Sequence, residues 1–495
     1  MEKTIAHYFL ENCRRFPQQT AIVVPKDKSY TYEELFQQVH LIYQHLVAQN
    51  ITDTRIGIYC TNDVWTVAAI LAVSAYGAAY VPINPKFPTS RNAFIVADCN
   101  LRCVLSSEPT IFFGENISLI CLSQLNNTEQ VAPYYLNPQL AVDVAYILYT
   151  SGSTGVPKGV PVKGESVAML FDFLLQNYHF SEKDTFLQCF EWTFDMSVLC
   201  LFGAFLKGSC CYLMEESSIK WVQILQYIQQ YKISVLALVP SVIALSQKYL
   251  PQLVFSHVRY CFFSGEALLH SHTAVWAKTV PLAQIVNMYG LTESAIVISY
   301  YNFEENISAK ESVNDIVPIG HFFPETTILL VNEKGDEVNS GEIGELCLAG
   351  KQLIVAYINQ VHEERFFYYQ KNAQTLLFYR SGDLVKRNKW GNYLYIGRND
   401  EQVQIQGYRV ELKEIEEVLS KIAHCRAAVV AKEDENKNAY LVAFVEKPTL
   451  DLTSIAQKMQ ELVSFYMLPK KIIILNELPL SLNGKIDKKT LKTMV

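Results

Sequence analysis

The 495-residue sequence contains no segment of about 18 or more uninterrupted apolar residues, so a membrane-crossing helix is not expected. Its longest apolar stretches, such as 64–83, are broken by Gly, Pro and polar positions. The start, Met-Glu-Lys-Thr-Ile-Ala-His, lacks a basic segment leading into an apolar core, which argues against a secretory signal. There is no block of basic residues: 42 Lys and Arg stand against 49 Asp and Glu, for a net charge of −7. A nucleic-acid-binding surface is therefore not expected. No Cys-x-x-Cys and no Cys/His ligand set occurs among the 12 cysteines. The close pairs are Cys210–Cys211 and Cys99–Cys103, and most cysteines sit in apolar context. They read as buried free thiols of a cytoplasmic protein. No period of 20–50 residues marks a repeat array, and no low-complexity tract stands out.

Half of the residues are apolar, enough for large cores, and the length suggests more than one domain. Helical spacing over 4–16 (Ile5, Phe9, Leu10, Cys13) is followed by short strands at 21–24 and 29–32. Thr31-Tyr-Glu-Glu then opens a helix with acid in its first turn. A buried strand at 55–60, a helix at 63–76 and a strand running into Pro85 continue the alternation. Helices alternating with buried strands predict an α/β fold with largely parallel sheets.

Residues 146–160 read Tyr-Ile-Leu-Tyr-Thr-Ser-Gly-Ser-Thr-Gly-Val-Pro-Lys-Gly-Val. A β-branched and aromatic run breaks into hydroxyls and glycines at Thr150, Ser151, Gly152, Ser153, Thr154 and Gly155. Glycine lets the backbone approach a ligand, and converging N–H groups and hydroxyls suit a phosphate. Lys158 adds a cation, and Pro157 stiffens the exit. The spacing is not Walker A: Gly152 and Gly155 are three apart, and Gly follows Lys158 where Ser or Thr is required. An ordinary glycine turn is the alternative for any one such loop.

The stretch resembles the phosphate loop of the adenylate-forming superfamily, which comprises acyl-CoA synthetases, luciferases and the adenylation domains of nonribosomal peptide synthetases. Other stretches resemble further motifs of that family, in order. The segment 78–85 matches one that usually ends Ile-Asp-Pro; Asn84 replaces the Asp, and the position reads as structural. Asp195, in Trp192-Thr-Phe-Asp-Met-Ser-Val, lies in apolar surroundings, where a carboxylate needs a cation or hydrogen bonds. It is either a helix N-cap or, as the resemblance implies, the counter-ion for a substrate α-amino group. Asn287-Met-Tyr-Gly-Leu-Thr-Glu matches the fifth motif at every defining position. Tyr289 offers a flat face for a purine, Asn287 an amide for its edge, and Glu293 a hard oxygen for Mg²⁺.

By resemblance, Gly265, Glu266, Ala267 and Tyr289 wall the adenine site, Met288 and Gly290 also belong to the ATP/AMP site, Thr292 touches the α-phosphate and Glu293 binds the metal. Asp383 and Arg398 would hold the ribose, although an acidic residue beside Gly382 also suits a plain turn. Turn–strand units at 317–320 and 341–346 suggest a β-rich subdomain. Asp400 falls where the family has its hinge. Gln404 and Gln406 replace the usual Lys and Arg, which puts in doubt any cationic contact with a carrier. Lys485, in Asn-Gly-Lys near the end, matches the catalytic lysine; alone, that tripeptide would read as a surface hairpin. The expected domains are an AMP-binding core over 1–398 and a small mobile α+β unit over 399–495.

The resemblance implies ATP and Mg²⁺ as cofactors. It implies activation of an amino acid to aminoacyl-AMP, followed by transfer to the phosphopantetheine thiol of a separate carrier protein, since no Leu-Gly-Gly-x-Ser attachment site occurs. The stretch 263–268 is closest to D-alanine–carrier protein ligases. The side-chain pocket aligned by motif is Asp195, Met196, Leu199, Ala237, Phe262, Ser264, Met288, Ile296 and Val297. With no charge beyond Asp195, it points to a small or mid-sized apolar substrate, D- or L-. A CoA-dependent acid:thiol ligase shares every motif except the Asp195 context. A catalytically silent binding module is disfavoured because Lys485, Glu293, Asp383 and Lys158 are all present.

Overall fold

The computed structural model describes residues 4–25, 27–109, 116–125, 143–152, 156–215, 219–359, 364–371, 373–480 and 486–495. A large mixed α/β N-terminal domain is followed by a smaller C-terminal one. Two sheets dominate the first: nine strands flanked by antiparallel edges, and six strands ending in the antiparallel pair Val144–Thr150 and Lys158–Lys163. Their interior pairings are parallel, as in Val235–Leu238 with Tyr260–Phe263 and in Tyr260–Phe263 with Gln284–Tyr289. Parallel strands buried on both faces read as continuous apolar runs, as the sequence shows.

One apolar cluster joins helices Ile5–Arg15, Val64–Tyr76 and Met196–Phe205 to both sheets. Every residue of Met196–Phe205 is buried, and full burial of one Leu, Phe or Met side chain contributes about 1.5–3 kcal/mol. Helix ends follow local chemistry. Thr31 accepts from the Glu34 backbone N–H while Glu34 reaches back to Thr31, and Asp63 accepts from the Thr66 backbone N–H. Asn84 has a structural place: its side chain accepts from the Lys86 backbone N–H and donates to Glu191.

The β-rich part is a five-stranded antiparallel sheet that includes Gly344–Ala349 and the long strand Gln374–Arg387. The unit expected at 317–320 is not a strand; Gly320 makes an isolated bridge to Tyr393. The C-terminal domain has its own apolar core, beneath helix Leu412–Ala423 and the three strands Ala427–Glu433, Ala439–Glu446 and Lys471–Leu475. The hairpin Gln402–Ile405/Tyr408–Glu411 turns at Gly407 and packs against the large domain. Gly407 has φ +84°, and a Cβ there would stand 2.5 Å from Val239 Cγ1, so both conformation and space demand glycine. All 12 cysteines are free; ten are buried, and Cys121 and Cys425 are half-buried.

Candidate active site

The carboxyl ends of the parallel strands open onto a cleft, the usual ligand position in such sheets. One cavity of about 80 Å³ gathers Gly265, Glu266 and Ala267 from the turn after Tyr260–Phe263. Asn287, Met288, Tyr289 and Gly290 come from the end of the next strand, and Asp383 and Arg398 from the antiparallel sheet. Residues distant in sequence thus share one wall. The Tyr289 hydroxyl donates to Asp383 Oδ2 at 2.5 Å, and Arg398 donates to the other oxygen of that carboxylate. Burial pushes the Asp383 carboxyl up, and Arg398 and Tyr289 oppose that shift. The Asn287 amide nitrogen donates to the Pro318 carbonyl at 2.8 Å, fixing the side chain against the cavity wall. Glu266 accepts the backbone N–H groups of Ser241 at 2.7 Å and Gly407 at 2.8 Å, which ties the turn to the C-terminal hairpin.

Next to this cavity a narrower one, about 40 Å³, brings Thr150, Ser151, Asp195 and Thr292 together with Tyr408 and Arg409 of the C-terminal hairpin. Aromatic rings wall it: Tyr408 stacks on Tyr466 at 4.2 Å between centroids and tilts against Phe194 at 5.8 Å. Thr150 ends a strand paired with Lys158, which places the start of the hydroxyl-rich loop and its lysine side by side. Lys158 is buried, with its ammonium 5.1 Å from the Tyr357 ring centre. A Cβ on Gly152 would stand 1.9 Å from the Val156 carbonyl oxygen, so the loop closes only with glycine there. Ser153, Thr154, Gly155 and Lys485 lie outside the described residues.

Asp195 is buried at the start of helix Met196–Phe205, but its side chain does not cap that helix. The Thr292 hydroxyl donates to its Oδ2 at 2.8 Å. Burial pushes the Asp195 carboxyl up to about 6, against the pull of Thr292 and the Met196 backbone N–H. Among the described residues it makes no direct ion pair, although Arg409, which lines the same cavity, also favours its ionised form. Met196, Leu199, Ala237, Phe262, Met288, Ile296 and Val297 all belong to the one large apolar core of the N-terminal domain. Leu199, Ala237 and Phe262 also line one small apolar cavity, and Ser264 borders the larger cavity beside Met288. Ile296 holds φ +76°, a strained conformation for a β-branched residue, and its carbonyl packs against Gly290.

Glu293 is almost wholly buried and saturated with donors. The Tyr357 and Tyr379 hydroxyls reach its Oε1 at 2.7 and 2.9 Å, and Arg409 Nη1 reaches Oε1 at 3.1 Å and Oε2 at 2.9 Å. Burial would raise this carboxyl, but Arg409 and the two hydroxyls hold it below the ordinary carboxylate range. The carboxylate is thereby kept ionised, but in this arrangement Arg409 stands where a divalent cation would have to bind, so a metal fits only with Arg409 withdrawn. Tyr357, Tyr379 and Arg409 were not assigned from sequence. Arg409 stood inside a recognised motif, and Tyr379 directly preceded Arg-Ser-Gly-Asp. Asp400 is gripped by Arg398 at 2.7 Å and Arg365 at 3.1 Å.

The sequence profile described as AMP-binding enzyme matches residues 9–358, and that described as AMP-binding enzyme C-terminal domain matches 414–485. Gramicidin S synthase 1 of Brevibacillus brevis is 31% identical over 99% of the chain, which spans only 44% of that protein. Zwittermicin A synthase ZmaJ of Bacillus cereus is 29% identical over 99% of the chain and 95% of its own length. Among solved structures, the Vibrio cholerae adenylation domain AlmE, in complex with glycyl-adenosine-5'-phosphate, superposes with a TM-score of 0.86. It is 26% identical, over 99% of this chain and 97% of that one.

Proposed function

The chain belongs to the AMP-binding enzyme family, an ATP- and Mg²⁺-using group of adenylate-forming ligases, and on that premise we propose that it activates an amino acid. The substrate carboxylate attacks the α-phosphorus of ATP in line, giving aminoacyl-AMP and pyrophosphate. The acyl group then passes to the phosphopantetheine thiol of a separate carrier protein. The observation that carries the reading is Asp195: a buried carboxylate held by one hydroxyl and one backbone N–H, in no direct ion pair among the described residues, with burial outweighing the pull of Arg409 in the same cavity. Such a group is costly unless a positive ligand arrives, and a substrate ammonium is one. Glycine on the adenylate bound to AlmE makes a small amino acid a reasonable class, and the apolar pocket agrees.

A carboxylate is already ionised at neutral pH, so the first step needs no general base. The obstacles are repulsion between two anions and charge growth at phosphorus, so positioning and electrostatic stabilisation do the work. Tyr289, Asp383 and Arg398 would fix the nucleoside, and Thr150–Gly155 with Lys158 the phosphates. Thr292 would hold the α-phosphate while orienting Asp195. Glu293 would hold Mg²⁺, which when bound neutralises charge on the phosphates. Lys485 would bridge the attacking carboxylate and the α-phosphate. Residues 1–398 would form the binding core and 399–495 a lid turning about Asp400. The aromatic cleft between Phe194, Tyr408 and Tyr466 reaches Asp195 and Thr292 and would admit a flexible neutral arm ending in a thiol. Amino-acid-dependent exchange of pyrophosphate into ATP tests the reading. Transfer to CoA in place of a carrier would instead favour a CoA-dependent acid:thiol ligase.

A further inference from the structure

One face of the strand Val144–Thr150 carries an unused hydroxyl behind the cleft that holds Asp195. Successive strand residues alternate between faces. Leu148 and Thr150 share one face and line that cleft. Tyr146 is the next residue inward on the same face. It joins Leu148 and Met196 in the large apolar core, whereas Ile147, between them in sequence, packs in a different one. The Tyr146 ring stands 5.6 Å from that of Tyr80 on the paired strand. Tyr146 is wholly buried, and its hydroxyl oxygen has no hydrogen-bond partner among the described residues. Burial, then Tyr80 and the Asp195 carboxylate, push this hydroxyl well above its ordinary range, so it keeps its proton. Phenylalanine would fill the same space without an unpaired polar atom, whose burial is costly.

Thr292 has a single hydroxyl proton. In the adenylation reading it has two anions to serve: Asp195, to which it donates here, and the α-phosphate. We propose that Tyr146 is a positioning residue, whose hydroxyl donates to Asp195 when the nucleotide draws the Thr292 hydroxyl away. The inference deepens the adenylation reading and rests on it. An ionised carboxylate offers about four acceptor positions. The Thr292 hydroxyl and the Met196 backbone N–H use two of them, and a substrate ammonium takes a third. Rotation of the Asp195 side chain exchanges one hydroxyl for the other, and no proton is transferred. The carboxylate thus stays oriented while the α-phosphate is bound, which is when the ammonium must be held for in-line attack. Amino-acid affinity then depends on Tyr146 only in the presence of nucleotide.

The test measures amino-acid binding to the full chain by calorimetry, with and without saturating α,β-methylene-ATP and Mg²⁺. The probe is whichever of glycine, D- or L-alanine and D- or L-valine drives pyrophosphate exchange fastest. Tyr146→Phe removes one unpaired oxygen, so its melting temperature should hold or rise. Its affinity without nucleotide should match that of the unsubstituted chain. With the analogue bound it should fall roughly ten-fold or more, the loss of a hydrogen bond to a charged group. Thr292→Val makes the exchange of donors permanent. Adding Tyr146→Phe to that variant should therefore cost about ten-fold even without nucleotide, a non-additive result. Equal weakening with and without the analogue, or none in either, overturns the proposal. Simple additivity of the two substitutions overturns it as well. Pyrophosphate exchange by the unsubstituted chain is the separate check: if no amino acid drives it, the adenylation reading falls and takes this inference with it.

Discussion

The hydroxyl of Thr292 lies 2.8 Å from Oδ2 of Asp195, so the proposed amine-binding carboxylate is oriented by the residue beside the proposed metal ligand Glu293. One hydrogen bond links the place where the substrate is held to the place where its carboxyl would react. Asp195→Asn keeps the shape and removes the charge. Losing one partner of a buried charge pair costs about 3–5 kcal/mol. kcat/KM for the amino acid should therefore fall by roughly 150- to 5,000-fold. Burial already penalises the ionised form, so thermal stability should not drop. Thermal melts and exchange kinetics on one preparation separate the two effects.

The same carboxyl sets a pH dependence. Its value in the empty pocket is raised to about 6, mainly by burial. A bound ammonium favours the ionised form and lowers that value, so binding releases a proton near this pH. Below it protons compete with the substrate, and the KM for the amino acid should rise about ten-fold for each further pH unit. The rate at saturating amino acid should move less. A KM flat down to pH 5 would argue that no ammonium meets this group.

Asp383→Asn tests the nucleoside wall. Tyr289 and Arg398 both donate to this carboxylate, and charge-assisted bonds to it are worth about 1.5–3 kcal/mol each. The KM for ATP should rise roughly ten- to a hundred-fold, with that for the amino acid little changed. Equal rises in both would mean that the substitution disturbs the whole cleft.

Much of this arrangement was legible as motifs. Tyr289, Asp383 and Arg398 were each assigned to the nucleoside before any geometry, and they do share a cavity. The Asp195 environment was legible as a misplaced charge, and the N-cap alternative loses because the side chain turns to Thr292. The pairing of Arg91 with Glu414, 323 residues apart, left no trace in the sequence. Neither did the two tyrosines around Glu293, because hydrophobic period and local spacing carry no information about which distant side chains meet.

Phe262→Ala tests the pocket. Phe262 is almost fully buried and faces the small cavity beside Leu199 and Ala237. Truncation should cost about 3–5 kcal/mol of stability. It should also shift preference by roughly ten-fold or more toward bulkier apolar amino acids, as pocket methylenes usually do. Competition assays between a small and a large amino acid read the shift directly.

Lys485→Ala should abolish adenylate formation while leaving amino-acid binding intact by calorimetry. Normal exchange in this variant would remove the lysine from the reaction.

The most direct measurement is exchange of pyrophosphate into ATP by the intact chain, against a panel of D- and L-amino acids and plain carboxylic acids. The expected result is exchange with one or a few small apolar amino acids, lost in Asp195→Asn. Exchange driven by fatty or aryl acids, with every amino acid silent, would contradict the role given to Asp195.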